Sequence, residues 1–262
     1  PVLIERILPK EISAIQAGIY ARAYRLFDAG NNISYLFSVI LLPLFAAVIK
    51  KGEDLQSLVK QSFSLMLTMT CIIAVVCIFY SHNLMELLYT IQENESIETY
   101  NLRISESSTI LQILMGSFVS ISITYIFGTL LTANGNLKQL NIVAAIGVII
   151  NLTLNFIFIP IFEARGAACT SLCVQFATCV IQLLIAKSIF NLKFGVSFWL
   201  SIVSFITLLV VSTSLLKSIN VYWIYSFVFS LIAGILIAFI TNMLDFKELK
   251  ILITSSIKHI KK

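Results

Sequence analysis

Residues 140–162, from Leu140 to Phe162, read LNIVAAIGVIINLTLNFIFIPIF, without one Asp, Glu, Lys or Arg. A helix needs about 20 apolar residues to cross the hydrocarbon core of a bilayer, and this stretch is long enough. Its apolar residues do not alternate with polar ones, as those of a membrane strand do. Six further stretches fit the same description: Ile33 to Ile49, Phe63 to Tyr80, Thr109 to Ala133, Gly166 to Ala186, Val196 to Leu216 and Val221 to Leu244. The 262 residues are 58% hydrophobic and 12% charged, whereas soluble domains carry about a quarter charged residues. Hydrocarbon offers no partners to backbone N–H and C=O groups, so crossing segments must satisfy them internally. The expected fold class is all-α: a polytopic transmembrane helix bundle of about seven spans, forming a single domain over residues 1–262.

The net charge is +5, and its placement carries more information than its size. One set of connections holds Lys50, Lys51, Lys60, Lys138, Lys187, Lys193 and the tail lysines 247, 250, 258, 261 and 262, eleven in all. The other holds five: Arg6, Lys10, Arg103, Arg165 and Lys217. Positive loops stay in the cytoplasm, which puts the C-terminal tail inside and the Ser81 to Ser105 connection outside. That outer connection is acidic, with Glu86, Glu93, Glu95 and Glu98, and reads as a solvated loop. The basic residues follow topology and form no patch, so nucleic acid is not an expected partner. Membrane lipid is.

Cys71, Cys77, Cys169, Cys173 and Cys179 all fall in apolar stretches with no Cys-x-x-Cys pair. They read as small apolar residues, and no metal or cofactor is expected. His82 and His259 are too far apart in sequence to suggest a site. No signal-peptide pattern opens the chain at Pro1. An odd number of spans with an external start then leads to the expectation that this is the C-terminal part of a longer protein.

Along the chain, a helix is expected from about Ala17 to Ile49, with a kink at Pro43. Residues 50–54 and Asn134-Gly135-Asn136 read as inner turns. Pro160 is expected to end the fourth span and Gly166 to open the fifth.

Polar groups in membrane helices turn toward protein or water rather than lipid. Gln112, Gly116, Ser120, Thr124, Gly128 and Thr132 recur every four residues, and small residues at such spacing let helices approach closely. Ser171, Gln175, Thr178 and Gln182 share one face of the fifth span, and Gly147, Asn151 and Asn155 one side of the fourth. Ser197, Ser201 and Ser204 mark the sixth. Helix packing is the favoured reading for the serines and glycines. For Asn151, Asn155, Gln175 and Gln182, packing and a wet cavity both stand. Arg22, Arg25 and Asp28 are charges in a helix near the membrane. They either sit at headgroup level or line a cavity, where a guanidinium holds phosphate oxygens with paired hydrogen bonds.

Several of these residues resemble a known family. The run Ala17-Gly18-Ile19-Tyr20-Ala21-Arg22-Ala23-Tyr24-Arg25-Leu26, followed by Leu41-Leu42-Pro43-Leu44-Phe45, resembles the opening of the second half of polysaccharide and lipid-linked oligosaccharide flippases. So do Ala133-Asn134-Gly135-Asn136, Asn151-Leu152-Thr153-Leu154-Asn155, Ile159-Pro160 and Arg165-Gly166-Ala167-Ala168-Cys169-Thr170, in that order. Glu5-Arg6 sits where family members often carry Asp-Arg. The likeness covers nearly the whole chain.

The resemblance implies a transporter of the multidrug/oligosaccharidyl-lipid/polysaccharide exporter superfamily, with two bundles around a cavity and alternating access. This chain would supply the last seven of about fourteen spans, its partner being the N-terminal bundle of the same protein. The implied substrate is an undecaprenyl-pyrophosphate-linked oligosaccharide: an O-antigen, capsule or exopolysaccharide unit. The implied location is the bacterial cytoplasmic membrane. Arg25 occupies the position that best matches the family's cavity arginines, which would meet the pyrophosphate, and Arg22, Asn151, Asn155, Gln175 and Gln182 are the remaining cavity candidates. A multidrug or cation antiporter of the same superfamily is the alternative, disfavoured by the scarcity of acids in the spans. A membrane polymerase or glycosyltransferase would need clustered acid/base side chains. The expectation is a non-enzyme.

Overall fold

The computed structural model describes residues 2–91, 93, 95–219 and 221–244. The tail lysines and His259 lie outside the described residues. Among the described residues there are eight helices and no strand: α1 (Val2–Ile7), α2 (Lys10–Lys51), α3 (Leu55–Phe79), α4 (Ser81–Leu88), α5 (Ile97–Ala133), α6 (Leu137–Phe190), α7 (Val196–Ser218) and α8 (Trp223–Ile240). Six of them are long and apolar enough to cross a membrane. Large side chains such as Phe156, Leu200, Phe229 and Ile240 stand exposed along them, which water would not tolerate and lipid does. The chain is a multi-pass membrane helix bundle.

Six helices carry seven membrane-length limbs, because α6 folds back on itself. A straight helix of its 54 residues would run about 80 Å. Instead Glu163 leaves helical geometry, with φ 53° and ψ −131°. Gly166 lies against the carbonyl of Phe158, and a Cβ on Gly147 would meet Thr178 Cγ2 at 3.3 Å. Residues 147 and 178 would be about 46 Å apart in an unbroken helix. Residues 137–162 and 164–190 are therefore antiparallel limbs. Glu163 has the backbone of the first central position of a type II′ turn, where glycine is the usual occupant. Pro160 does not end its limb as expected, but lies inside the last turn before the reversal.

Two other boundaries differ from the sequence reading. Helix α2 starts at Lys10 rather than near Ala17, because Pro9 presets its entry. The Ser81 to Ser105 connection is largely helical and not a solvated loop. Ser81 to Leu88 forms α4, and α5 begins at Ile97, where the Ser96 hydroxyl accepts from the Thr99 amide at 3.2 Å. Such a cap satisfies one of the orphan N–H groups of a first turn.

Helix α5 runs through the middle of the bundle and contributes to both apolar clusters. One gathers Leu41, Phe45, Phe63, Phe127, Leu130 and Phe205. The other gathers Ile4, Tyr20, Ala23, Phe27, Ile104 and Phe118. Between α2 and α5, the Ser122 hydroxyl donates to Ser34 Oγ at 2.8 Å, fully buried. Of the α5 stripe, Gly116 and Gly128 lie against the second limb of α6, while Gln112 and Thr132 at its ends are exposed. Gly116 faces Leu172, and Gly128 faces Gln182.

The two sets of connections occupy opposite ends. At one, the Gln56 side chain exchanges two hydrogen bonds with the Lys193 backbone, at 2.8 and 3.3 Å. Gly52 and Gly135 turn the chain there with φ of 65° and 79°. At the other end, Lys217 Nζ donates to the Phe79 carbonyl at 2.6 Å and stabilises the end of α3. Of the cysteines, Cys71 and Cys179 are buried, Cys77 and Cys169 half-buried, and Cys173 exposed.

Candidate functional site: two polar hollows near the hairpin turn

The half of the bundle nearer Glu163 contains two polar hollows. Both are built on α2, whose residues Gln16, Ile19, Tyr20, Ala23 and Phe27 face inward at helical spacing.

The first hollow, about 260 Å³, lies between α1, α2 and the two limbs of α6. Its polar lining is Tyr20, Asn151, Asn155 and Ser171. Asn155 is buried, and its Nδ2 donates to the Asn151 carbonyl at 2.9 Å and to Asn151 Oδ1 at 3.0 Å. The spacing of four that marked these residues in the sequence makes them neighbours on the helix surface. Val2, Leu3 and Ile4 of α1 close one side.

The second hollow, about 630 Å³, is a cleft between α2 and the start of α5. Arg22 and Arg103 line it together with Gln16, Glu95, Thr99 and Glu106. Arg103 is 7% exposed. Its Nε and Nη2 donate to the two oxygens of Glu95, both at 2.6 Å, and Nη2 also donates to the Thr90 carbonyl at 3.2 Å. Such a two-pronged contact fits the planar fork of a guanidinium. Arg22 is half-buried. Its guanidinium lies 5.7 Å from the centre of the Tyr89 ring, and Tyr89 Oη donates to the Arg22 carbonyl at 3.2 Å.

A polar clasp beside this cleft fixes the hairpin. Gln16 Oε1 accepts from the Ala164 amide at 3.3 Å, and Gln16 Nε2 donates to Glu106 Oε2 at 3.4 Å. Arg165 approaches Glu106 at 3.9 Å. The Ala164 N–H is one of the donors that a helix start leaves unpaired, and the buried Gln16 amide meets it.

The structure brings some of the expected residues together and leaves others apart. Asn151 and Asn155 share the first hollow, and Arg22 lines the second. Arg25 is exposed and has no hydrogen-bond or ion-pair partner among the described residues. Gln175 is half-buried. Gln182 lies in the α5–α6 contact, its Oε1 buried without a partner and 3.0 Å from where a Gly128 Cβ would stand.

Gln16, Tyr20, Tyr89, Glu95, Arg103 and Glu106 were not singled out as site residues by sequence. The acids of this segment read as solvated, yet the Glu95 side chain is only 9% exposed. The available signal was the Ser96 cap with Glu98 in the first turn, which starts a helix early enough to carry Arg103 back toward Glu95.

No protein-family model matches the chain, and no curated protein does. A solved structure does: "Lipid II flippase MurJ, inward closed conformation", at a TM-score of 0.72 and 16% sequence identity. The fold of this chain is similar to that of a flippase. The match covers 89% of this chain and 48% of that one, so the chain spans about half the length of that structure. At this identity the likeness concerns the fold. It agrees with the all-helical membrane bundle expected from the sequence.

Proposed function

We propose that this chain is the C-terminal bundle of a transporter that flips a lipid-linked oligosaccharide across the cytoplasmic membrane by alternating access. The observation that carries the reading is the fold likeness to a lipid II flippase structure over 89% of the chain. Polar hollows on its membrane helices support it. The physical task is to move a polar, anionic headgroup past hydrocarbon, where a charged side chain costs about 3 kcal/mol or more. Fixed cations and amides in a wet groove lower that cost while the lipid tail stays in the bilayer. In this reading the substrate is an undecaprenyl-pyrophosphate-linked unit. Arg25, exposed on α2, meets its pyrophosphate. Asn151 and Asn155 present amides to the groove, with Gln175 on the facing limb. The end bearing Lys50, Lys51 and Lys193 is cytoplasmic.

The test is complementation of a flippase-deficient strain by the protein to which this chain belongs. Arg25→Ala is expected to abolish growth or polymer export while the protein level in the membrane holds. Full complementation by that variant would remove Arg25 from the mechanism, and ethidium efflux without complementation would favour the antiporter.

A further inference from the structure

The cleft between α2 and α5 has a charge balance that the transport of a pyrophosphate does not explain. Its carboxylates are Glu93, Glu95 and Glu106, and its guanidinium groups are Arg22 and Arg103, with Arg165 reaching Glu106 from the hairpin. Three negative and three positive groups meet there. A free phosphate entering this cleft faces three carboxylates, and a cation faces three guanidinium groups. Neither ion gains from a site that is electrically balanced.

A neutral ligand rich in hydroxyl groups does gain. Each hydroxyl both donates and accepts, so it can give its proton to a Glu oxygen and take one from a guanidinium or from Gln16. The cleft, at about 630 Å³, falls within the usual size of small-ligand sites. Arg103 is buried, and its Nε and Nη2 are spent on Glu95 and the Thr90 carbonyl, so the guanidinium that a ligand would meet is that of Arg22. Tyr89 holds Arg22 in a fixed position, which makes it a preorganised donor.

We infer that this cleft is a carbohydrate subsite, receiving uncharged sugar hydroxyls of the headgroup at the hairpin end of the bundle. The inference rests on the transport reading for its choice of ligand, and deepens it by separating the sugar-binding place from the arginine that meets the pyrophosphate.

Leu102 lines the cleft and is 62% exposed, which makes it a reporter position. The experiment uses the full protein in detergent, with its native cysteines replaced and Leu102→Cys introduced, and follows the rate of maleimide labelling. Maltose and N,N′-diacetylchitobiose stand for neutral sugars, inorganic pyrophosphate for anions and spermidine for cations. One of the sugars is expected to slow labelling about threefold at twice its dissociation constant. Arg22→Gln and, separately, Glu106→Gln are expected to remove that protection. Protection by pyrophosphate or spermidine alone overturns the inference, as does protection by none of the four. The two readings fail separately. If Arg25→Ala abolishes transport and no sugar protects Cys-labelled position 102, the transporter stands and this subsite falls. If a sugar protects in a protein that carries no lipid-linked saccharide, the subsite stands and the transport reading falls.

Discussion

Gly166 lies directly against the main-chain carbonyl of Phe158, and no Cβ fits between them. This contact holds the two limbs of α6 together just inside the reversal. Gly166→Ala must push one limb's backbone off the other. Overpacking of this kind costs about 1–3 kcal/mol or more. The variant is expected to melt earlier in a fluorescence-detected thermal scan in detergent. Gly128→Ala is the comparison. There the obstructing atom is the amide end of Gln182, 3.0 Å away, which can rotate aside. Its melting temperature is expected to stay much nearer that of the parent. Equal losses in both would contradict the distinction between a backbone obstacle and a side-chain one.

Glu163 has a positive φ of 53°, which a side chain adopts at a cost and glycine adopts freely. Glu163→Gly is expected to raise stability by about 1 kcal/mol, as relief of such backbone strain does. A thermal scan reads this directly. Glu163→Ala keeps the Cβ and is expected to show no gain, which separates backbone strain from loss of the carboxylate.

Arg103 and Glu95 are paired with side chains only 8% and 9% exposed. Removing one partner strands a buried charge, at about 3–5 kcal/mol. Arg103→Ala and Glu95→Ala are each expected to destabilise strongly. The double variant is expected to lose less than the sum of the two. A sum matched by the double variant would show that the groups act independently. Raised salt is expected to change the stability of the parent little, because a pair this enclosed is weakly screened.

Ser34 and Ser122 join α2 to α5 by a buried hydroxyl pair. Interhelical hydrogen bonds in membrane proteins average about 0.6 kcal/mol in double-mutant cycles. Ser34→Ala, Ser122→Ala and their combination are expected to give a coupling of that order. A coupling of zero would mean that Ser122 is satisfied by its other acceptor, the Phe118 carbonyl at 2.7 Å.

The sequence announced the membrane helices because hydrocarbon excludes charge, and a run such as Leu140 to Phe162 has no other reading. Turns at Asn134-Gly135-Asn136 were legible because Gly135 supplies the left-handed backbone that a tight inner turn requires. The early start of α5 was hidden. Glu98, Arg103 and Glu106 interrupt the apolar pattern, and the burial of Arg103 depends on Glu95, a side chain outside that helix. The reversal of α6 falls at Glu163, inside the expected link between Phe162 and Gly166, but Pro160 is not what ends the limb. Proline is a strong stop signal, but Pro160 stands where its limb is already ending, and Glu163 carries no local mark of an unusual backbone. The pair Asn151 and Asn155 was visible by spacing alone. The cleft of Arg22 and Arg103 was not, because it depends on two helices whose relative placement is tertiary.

With a single residue outside helical geometry at the α6 reversal, the angular phase of one limb is geared to that of the other. Inserting or deleting one residue next to Glu163 would turn the second limb by about 100° about its own axis. Thr178 would swing away from Gly147, and Ser171 from Asn151 and Asn155. Length variation at this corner would scramble the wet side of the bundle, whereas the Asn191 to Gly195 connection could lengthen without altering that phase.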